Sequence, residues 1–212
     1  MIRRLWPFVV GSIALGLDAY MIAGLLPALA VSMGSREAVV GLGVAAFTGS
    51  YAIAGPLLAG RAGRNSRRSL IVALAVFTLA NLVTAFSTAV APFLAARAVA
   101  GAAAGVYSPL SSAVAASLAG PEDRGKALSL VLSGLAIGTV FGVPLGLALA
   151  GRWGWRTAIV LFVVTGAAAL VGIVTTVGPT RCRPTSSEPS NSTPVTSLSD
   201  FSSTILTSTF GR

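Results

Sequence analysis

The sequence predicts an all-α membrane protein in which six transmembrane helices form one bundle. Of its 212 residues 54% are apolar and 10% are charged, whereas a soluble domain carries about 25% charged residues. The apolar residues concentrate in runs long enough to cross a hydrocarbon core, which takes about 17 to 25 residues of helix, and too long and too uniform for β-strands. The six predicted spans are residues 8–31, 39–59, 70–86, 93–118, 128–150 and 158–177.

The first span carries an acidic residue, Asp18, near its middle. It follows two arginines and ends in Ala-Leu-Ala, as a signal peptide could, but it exceeds the usual signal core of about 7 to 15 residues, so we predict a retained span. The short side chain of Asp18 cannot reach the membrane surface, and we expect it to face the bundle. There it serves either as a functional carboxyl or as a structural hydrogen-bond partner between helices.

A basic loop joins the second and third spans, at residues 60–69. Its arginines are expected to set the topology and to touch anionic headgroups, with a gating role as the alternative. Polar residues on the first four spans are candidates for facing a cavity, although Ser and Asn also bond across helices merely to satisfy themselves. These candidates are Tyr20, Ser50, Tyr51, Asn81 and Ser108.

The fourth span carries the second embedded charge, Arg97, with Gly101 and Gly105 following at spacings of four. Arg97 lies about 6 Å inside the predicted span, so its side chain could extend outward to the membrane surface. Because the same helical face carries two glycines, we predict instead that Arg97 points into the bundle.

The fifth span carries a regular glycine pattern, and the sixth carries no charge. Four glycines spaced four apart lie on one helical stripe, which lets another backbone approach closely. Pro144 falls within the stripe and can kink the helix. We predict a packing seam that also moves, with simple helix packing as the alternative. The glycines are Gly134, Gly138, Gly142 and Gly146.

The composition changes after Pro179 to a segment rich in Ser, Thr and Pro. Such a segment cannot build a core, so the predicted organisation is a six-span bundle over residues 1–178 and a disordered cytoplasmic tail over residues 179–212.

The distribution of basic residues predicts the orientation of the bundle. With the N-terminus inside, the cytoplasmic segments up to Arg183 hold ten Lys and Arg residues and the opposite side holds three, at Arg36, Arg152 and Arg156. We therefore predict a multi-pass protein of the cell membrane (plasma or inner) with both termini in the cytoplasm. The net charge of +9 is accounted for by this placement, so the lipid bilayer and not nucleic acid is the expected partner.

The residue inventory argues against an enzyme. The chain has no His and a single Cys, Cys182. An intrachain disulfide, a His-based metal site and a Ser-His dyad are therefore excluded. We predict no catalytic residues, no metal and no cofactor.

Several motifs resemble those of the major facilitator superfamily, in particular its drug/proton antiporter branch. The segment over residues 55–68 is similar to the family's signature loop between spans two and three, although Gly60 and Ser66 stand where an acidic residue is common. The loop residues that match are Gly55, Gly63, Arg64, Arg67 and Arg68.

Two further motifs follow in the family's order. Leu94-x2-Arg97-x3-Gly101 resembles the span-four motif, whose arginine is associated with proton coupling, with Ala100 in place of the usual polar residue. The glycine stripe with Pro144 resembles the span-five antiporter motif, which is associated with export. Segments at residues 23–27 and 151–156 also look like arabinose-efflux-like and chloramphenicol-resistance exporters.

The resemblance covers residues 1–178 and implies a 3+3 helix repeat, with spans one and four as equivalents. It implies a proton-coupled efflux transporter of drugs or small metabolites, with Asp18 as the candidate protonation site. The family has two such bundles, with substrate between them. We therefore expect a truncated or frame-shifted N-terminal half, or a half that dimerises. The alternative is a non-transporting membrane protein, either an inert truncation or an assembly partner of another transporter.

Overall fold

Six long helices make up the fold. The computed structural model describes the backbone of residues 2–62 and 65–176, and the side chains of residues 5–58 and 65–176. All six helices are long and apolar enough to cross a membrane, which confirms the predicted all-α bundle. They are α1 (Ile2–Ser32), α2 (Glu37–Ala62), α3 (Ser66–Phe86), α4 (Val90–Leu118), α5 (Arg124–Trp153) and α6 (Trp155–Thr176), with a 3-10 turn at Pro121–Asp123 before α5.

The helices extend beyond the apolar runs. An apolar run ends at the first polar residues, but the backbone hydrogen bonding of the helix continues through such residues at the membrane surface. Residues 60–62 and 66–69, predicted as loop, are therefore helical, and Arg67 and Arg68 lie in the first turn of α3. Glycines with positive φ end α1 at Gly34 and separate α5 from α6 at Gly154. Gly63, Arg64, Val177 and the predicted tail lie outside the described residues.

Helix pairing follows a two-repeat pattern. The most extensive contacts join α1 to α5 and α2 to α4, followed by α3 with α4, and α3 and α1 with α6. If α1, α2 and α3 are exchanged with α4, α5 and α6 in that order, the α1–α5 pair becomes the α4–α2 pair. The same exchange turns the α3–α4 pair into the α6–α1 pair. The packing is therefore that of two three-helix repeats, in which α1 and α4 are equivalent.

The glycine stripe of α5 receives α1. A Cβ added at Gly138 would lie 2.5 Å from the carbonyl oxygen of Ile13 and 2.9 Å from Cα of Gly16. A Cβ added at Gly16 would in turn lie 3.0 Å from Cα of Gly138. The two backbones are thus in direct contact, as small-residue faces allow. The helix is continuous through Pro144.

A second glycine pair on α4 receives α2. A Cβ added at Gly101 would collide with the backbone carbonyl of Phe47, and one added at Gly105 with that of Tyr51. The interface between α2 and α4 is therefore as close as the interface between α1 and α5.

Reciprocal hydrogen bonds tie α3 to α6 at both ends. Arg67, in the first turn of α3, donates from Nη2 to the carbonyl of Val174 at 3.0 Å. Arg156, in the first turn of α6, donates from Nε to the carbonyl of Ala85 at 3.2 Å. Each arginine satisfies a carbonyl in the last turn of the antiparallel partner helix, where helices leave acceptors without intrahelical donors.

Candidate functional site

The two embedded charges form an ion pair inside the bundle. Nη1 of Arg97 donates to Oδ1 of Asp18 at 2.6 Å. Asp18 is 0% exposed and Arg97 is 1% exposed, so Arg97 points into the bundle and does not extend to the membrane surface. A buried charge needs a close and well-bonded partner, and this geometry supplies one.

Asn81 of α3 bridges the pair. Its Nδ2 donates to Oδ2 of Asp18 at 3.4 Å, and its Oδ1 accepts from Nη1 of Arg97 at 3.4 Å. Nδ2 also donates to the carbonyl of Phe77, at 3.2 Å. In this arrangement the amide donor faces the carboxylate and the amide acceptor faces the guanidinium. Asn81, expected at a cavity, is instead fully buried and links a third helix to the ion pair.

An aromatic side chain that the sequence analysis did not single out covers the guanidinium. Cζ of Arg97 lies 4.5 Å from the ring centroid of Phe47, in cation–π geometry. Nε of Arg97 is buried and has no hydrogen-bond partner within the described part of the chain. The sequence signal that could have identified Phe47 is its spacing. Phe47 and Tyr51 lie four residues apart on α2, which matches the spacing of Gly101 and Gly105 on α4.

A cavity of about 450 Å³ lies beside the ion pair, between α1, α2, α4 and α5. Two predicted residues, Tyr20 and Tyr51, line it, and Phe47 forms part of its wall. The rings of Phe47 and Tyr51 stack with centroids 6.5 Å apart and planes 22° apart. Phe47 therefore contacts the guanidinium of the ion pair with its ring and is also one of the residues that line the cavity.

The remaining predicted polar residues lie apart from the ion pair. Ser108 lines a smaller cleft of about 350 Å³ between α2 and α4, together with Tyr51 and Gly55. Ser50 is half-buried on α2 and lines neither the 450 Å³ cavity nor the 350 Å³ cleft. The structure thus brings together Asp18, Arg97 and Asn81, with Tyr20 and Tyr51 in the adjacent cavity.

Arg67 and Arg68, the signature-loop arginines that the structure describes, lie outside this site. Arg67 ties α3 to α6 as described above, and Arg68 lies at one end of an apolar groove of about 540 Å³ between α2, α3 and α4. Within the described ranges, no three His, Cys, Asp or Glu residues gather into a group that could hold a metal ion. The chemistry available at the central site is therefore proton exchange, ion pairing and hydrogen bonding.

Comparison with known proteins identifies a matching family and related sequences. A family model described as Major Facilitator Superfamily matches residues 8–210. The chain is 34% identical over 154 residues to a chloramphenicol resistance protein of Streptomyces lividans, covering 72% of this chain and 39% of that protein. It is 34% identical over 118 residues to a chloramphenicol efflux pump of Mycobacterium tuberculosis, covering 56% of this chain and 28% of that protein.

The solved structures that match share the fold. The xylose transporter XylE from E. coli, in a partially occluded inward-open conformation, superposes with a TM-score of 0.73 at 20% identity. The match covers 82% of this chain and 49% of that one. The chain spans less than half the length of the curated relatives it matches, and the match lies in their N-terminal half.

Proposed function

Because this chain belongs to the Major Facilitator Superfamily, we propose that it forms one six-helix half of a proton-coupled exporter of drugs or small metabolites. The resemblance predicted from the motifs is confirmed at the level of the family. We place the protein in the cell membrane with both termini in the cytoplasm, acting as a transporter and not as an enzyme. The observation that carries the proposal is the buried Asp18–Arg97 pair beside an open cavity.

Proton exchange follows from the chemistry of this pair. In the closed pair, Asp18 is a carboxylate that accepts hydrogen bonds from Arg97 and Asn81. A proton taken up by Asp18 forms an O–H bond and removes the charge that holds Arg97 in place. When that proton leaves to water, Arg97 again donates to the freed oxygen. Opening and closing of the pair thus changes the protonation state of one carboxyl.

The glycine seam connects this exchange to helix movement. Asp18 is on α1, which contacts the α5 stripe directly at Gly138, whereas Arg97 is on α4. A shift of α1 along the stripe changes the position of Asp18 relative to Arg97. Such a shift moves α1 of one repeat against α5 of the other, and gating of one repeat against the other is a form that alternating access can take.

Export is supported by the relatives that are a chloramphenicol resistance protein and a chloramphenicol efflux pump. The 450 Å³ cavity is lined by α1, α2, α4 and α5 and is open on one side. We propose that a second six-helix bundle, from another copy or another polypeptide segment, closes this side, with the substrate held between the two.

Chloramphenicol efflux from cells tests the proposal. The chain would be expressed alone and fused to a second six-span bundle from a relative, and efflux would be followed with the proton gradient intact and after its collapse. We expect gradient-dependent efflux from the fusion, or from the chain alone if two copies assemble. Efflux that persists after the gradient is collapsed, or no efflux of any tested drug from either form, would contradict it.

A further inference from the structure

We propose that Phe47 links the cavity to the Asp18–Arg97 pair, and that the cavity binds uncharged molecules carrying an aromatic ring. This deepens the proposed function and rests on it. The supporting juxtaposition is that the Phe47 ring lies 4.5 Å from the Arg97 guanidinium, and that Phe47 is also one of the residues lining the cavity.

The backbone fixes Phe47 in this position. Gly101 lies one helical turn beyond Arg97, and an added Cβ there would strike the carbonyl of Phe47. Gly105 and Tyr51 repeat the contact one turn further along. Because no side chain separates α2 from α4 at these two points, the main chains of Phe47 and Tyr51 are held directly against α4. Phe47 is only 6% exposed, so its ring is enclosed while the ion pair is closed.

The cavity lining favours an uncharged ligand. No acidic or basic side chain lines it within the described residues. Its polar side-chain atoms are hydroxyls, and those of Thr48 and Thr139 donate to carbonyls of their own helices. They remain available as acceptors, while Tyr20 and Tyr51 can donate. A charged molecule would lose its hydration here without gaining a counter-ion, since Arg97 and Asp18 neutralise each other.

The aromatic wall adds a preference for a ring. Phe47 and Tyr51 already stack on each other, and a third ring placed against them gains about 3- to 10-fold in affinity beyond the effect of its buried area. Tyr20 lies on the facing helix α1 and is 53% exposed, so its hydroxyl is accessible. The complementary molecule is a neutral aromatic compound with hydrogen-bonding groups.

Coupling follows because the Arg97 guanidinium contacts the Asp18 carboxylate and the face of Phe47 at the same time. A bound ring that holds Phe47 against the guanidinium favours the closed pair. If Asp18 is protonated beforehand, its O–H bond breaks, the proton passes to water, and an N–H group of Arg97 donates to the freed oxygen. Binding of the ring and binding of the proton therefore compete, as an exchanger requires.

The test uses the full chain purified in lipid nanodiscs, with chloramphenicol as the neutral ring-bearing probe. Tetraphenylphosphonium and benzoate serve as charged ring-bearing probes. Equilibrium binding gives affinities. Proton release is followed as a pH change in weakly buffered solution, starting from a pH acidic enough for Asp18 to carry its proton before the probe is added. We expect chloramphenicol to bind and to release protons, and both charged probes to bind at least about tenfold more weakly, because their hydration is lost without a counter-ion.

The variant Phe47→Leu keeps an apolar side chain and removes the ring. We expect about a 3- to 10-fold loss of chloramphenicol affinity and loss of proton release even at saturating probe. Phe47→Tyr should retain both. The matched control is Phe141→Leu, which removes an exposed ring on α5 outside the cavity and should behave as wild type. If Phe47→Leu does not fold, Phe47→Met repeats the test with a flexible side chain that fills similar space.

The outcomes separate the two proposals. Full proton release by Phe47→Leu at saturation would overturn the role of Phe47 while leaving proton exchange intact. Charged probes that bind as tightly as chloramphenicol, or no binding of chloramphenicol, would overturn the substrate class. Chloramphenicol binding by the wild type without proton release would refute proton exchange itself.

Discussion

Nη1 of Arg97 lies 2.6 Å from Oδ1 of Asp18, although 79 positions separate the two residues in the sequence. They occupy α1 and α4, the equivalent helices of the two three-helix repeats. The ion pair therefore joins the two repeats through their corresponding members. Any movement of one repeat relative to the other acts directly on this bond.

Replacing Asp18 with asparagine should abolish gradient-driven efflux. The amide keeps the shape of the side chain and a hydrogen-bond acceptor, but it cannot take up and release a proton as a carboxyl does. Membrane insertion, measured by fractionation, should be unchanged, whereas efflux by the two-bundle fusion should no longer respond to an imposed pH gradient.

The matched control for that variant is Asp123→Asn. Asp123 is an exposed acid at the start of α5 that pairs with Lys126 at 2.9 Å. Its removal should leave efflux as in wild type. Gradient-driven efflux that survives in Asp18→Asn would show that Asp18 is structural.

Removing one charge of the pair should destabilise the bundle more than removing both. Arg97→Gln leaves Asp18 as an uncompensated buried charge, which costs about 3–5 kcal/mol. The double variant Asp18→Asn/Arg97→Gln leaves two neutral amides and should lose less than Arg97→Gln alone, and therefore less than the sum of the single losses. Denaturant unfolding in detergent micelles measures all three variants, and strictly additive losses would be evidence against a direct interaction.

Asn81→Leu should weaken the ion pair without removing either charge. Oδ2 of Asp18 then loses its donor, an unsatisfied buried group that costs about 1–3 kcal/mol. The control is Thr84→Ala, a buried polar residue on the same helix whose hydroxyl bonds only the Ala80 carbonyl. Unfolding free energies and gradient-dependent efflux should both fall in Asn81→Leu alone. Equal losses in the two variants would mean that Asn81 has only a general packing role.

Gly101→Ala should separate α2 from α4. The added Cβ meets the Phe47 carbonyl, and overpacking of this kind costs about 1–3 kcal/mol. Gly49→Ala is the control, because a Cβ at Gly49 on α2 meets no atom within 4 Å. Its helix propensity should improve by about 0.8–1 kcal/mol. The two thermal midpoints should therefore shift in opposite directions, and a shared direction would argue against close contact at Gly101.

Arg67→Gln and Arg156→Gln should each loosen one end of the α3–α6 pair. Each loses a guanidinium hydrogen bond to a terminal carbonyl, with an expected cost of about 0.5–1.5 kcal/mol. Hydrogen exchange should rise near Val174 in the first variant and near Ala85 in the second. Arg68→Gln removes the same charge one residue away and should leave both regions protected. Faster exchange in Arg68→Gln would point to a general charge effect.

The sequence predicted the six spans well, because twenty-residue apolar runs have one dominant interpretation. Asp18 and Arg97 were predicted to face the bundle, but their contact was not predicted, since it depends on the register between α1 and α4. Helix ends were missed where polar residues continue the backbone hydrogen bonding, as at Arg67 and Arg68.

Phe47 was missed for a different reason. In a soluble helix an apolar residue marks the buried face, but a membrane helix is apolar on its lipid side as well, so hydrophobicity does not distinguish the two sides. The two glycines on α4 did indicate that the face carrying Arg97 points into the bundle. Only the structure shows that α2 is the helix packed against this face and that it carries an aromatic ring to the guanidinium.

The ties made by Arg67 and Arg156 have a mechanical consequence. Because α3 and α6 are antiparallel and bonded near both membrane faces, sliding one past the other along the membrane normal would stretch both bonds at once. The α3–α6 pair therefore forms a rigid unit along the side of the bundle. Sliding of α3 past α6 along the membrane normal is thereby resisted, whereas a shift of α1 along α5, or tilting of the six helices as one body, leaves both hydrogen bonds unstrained.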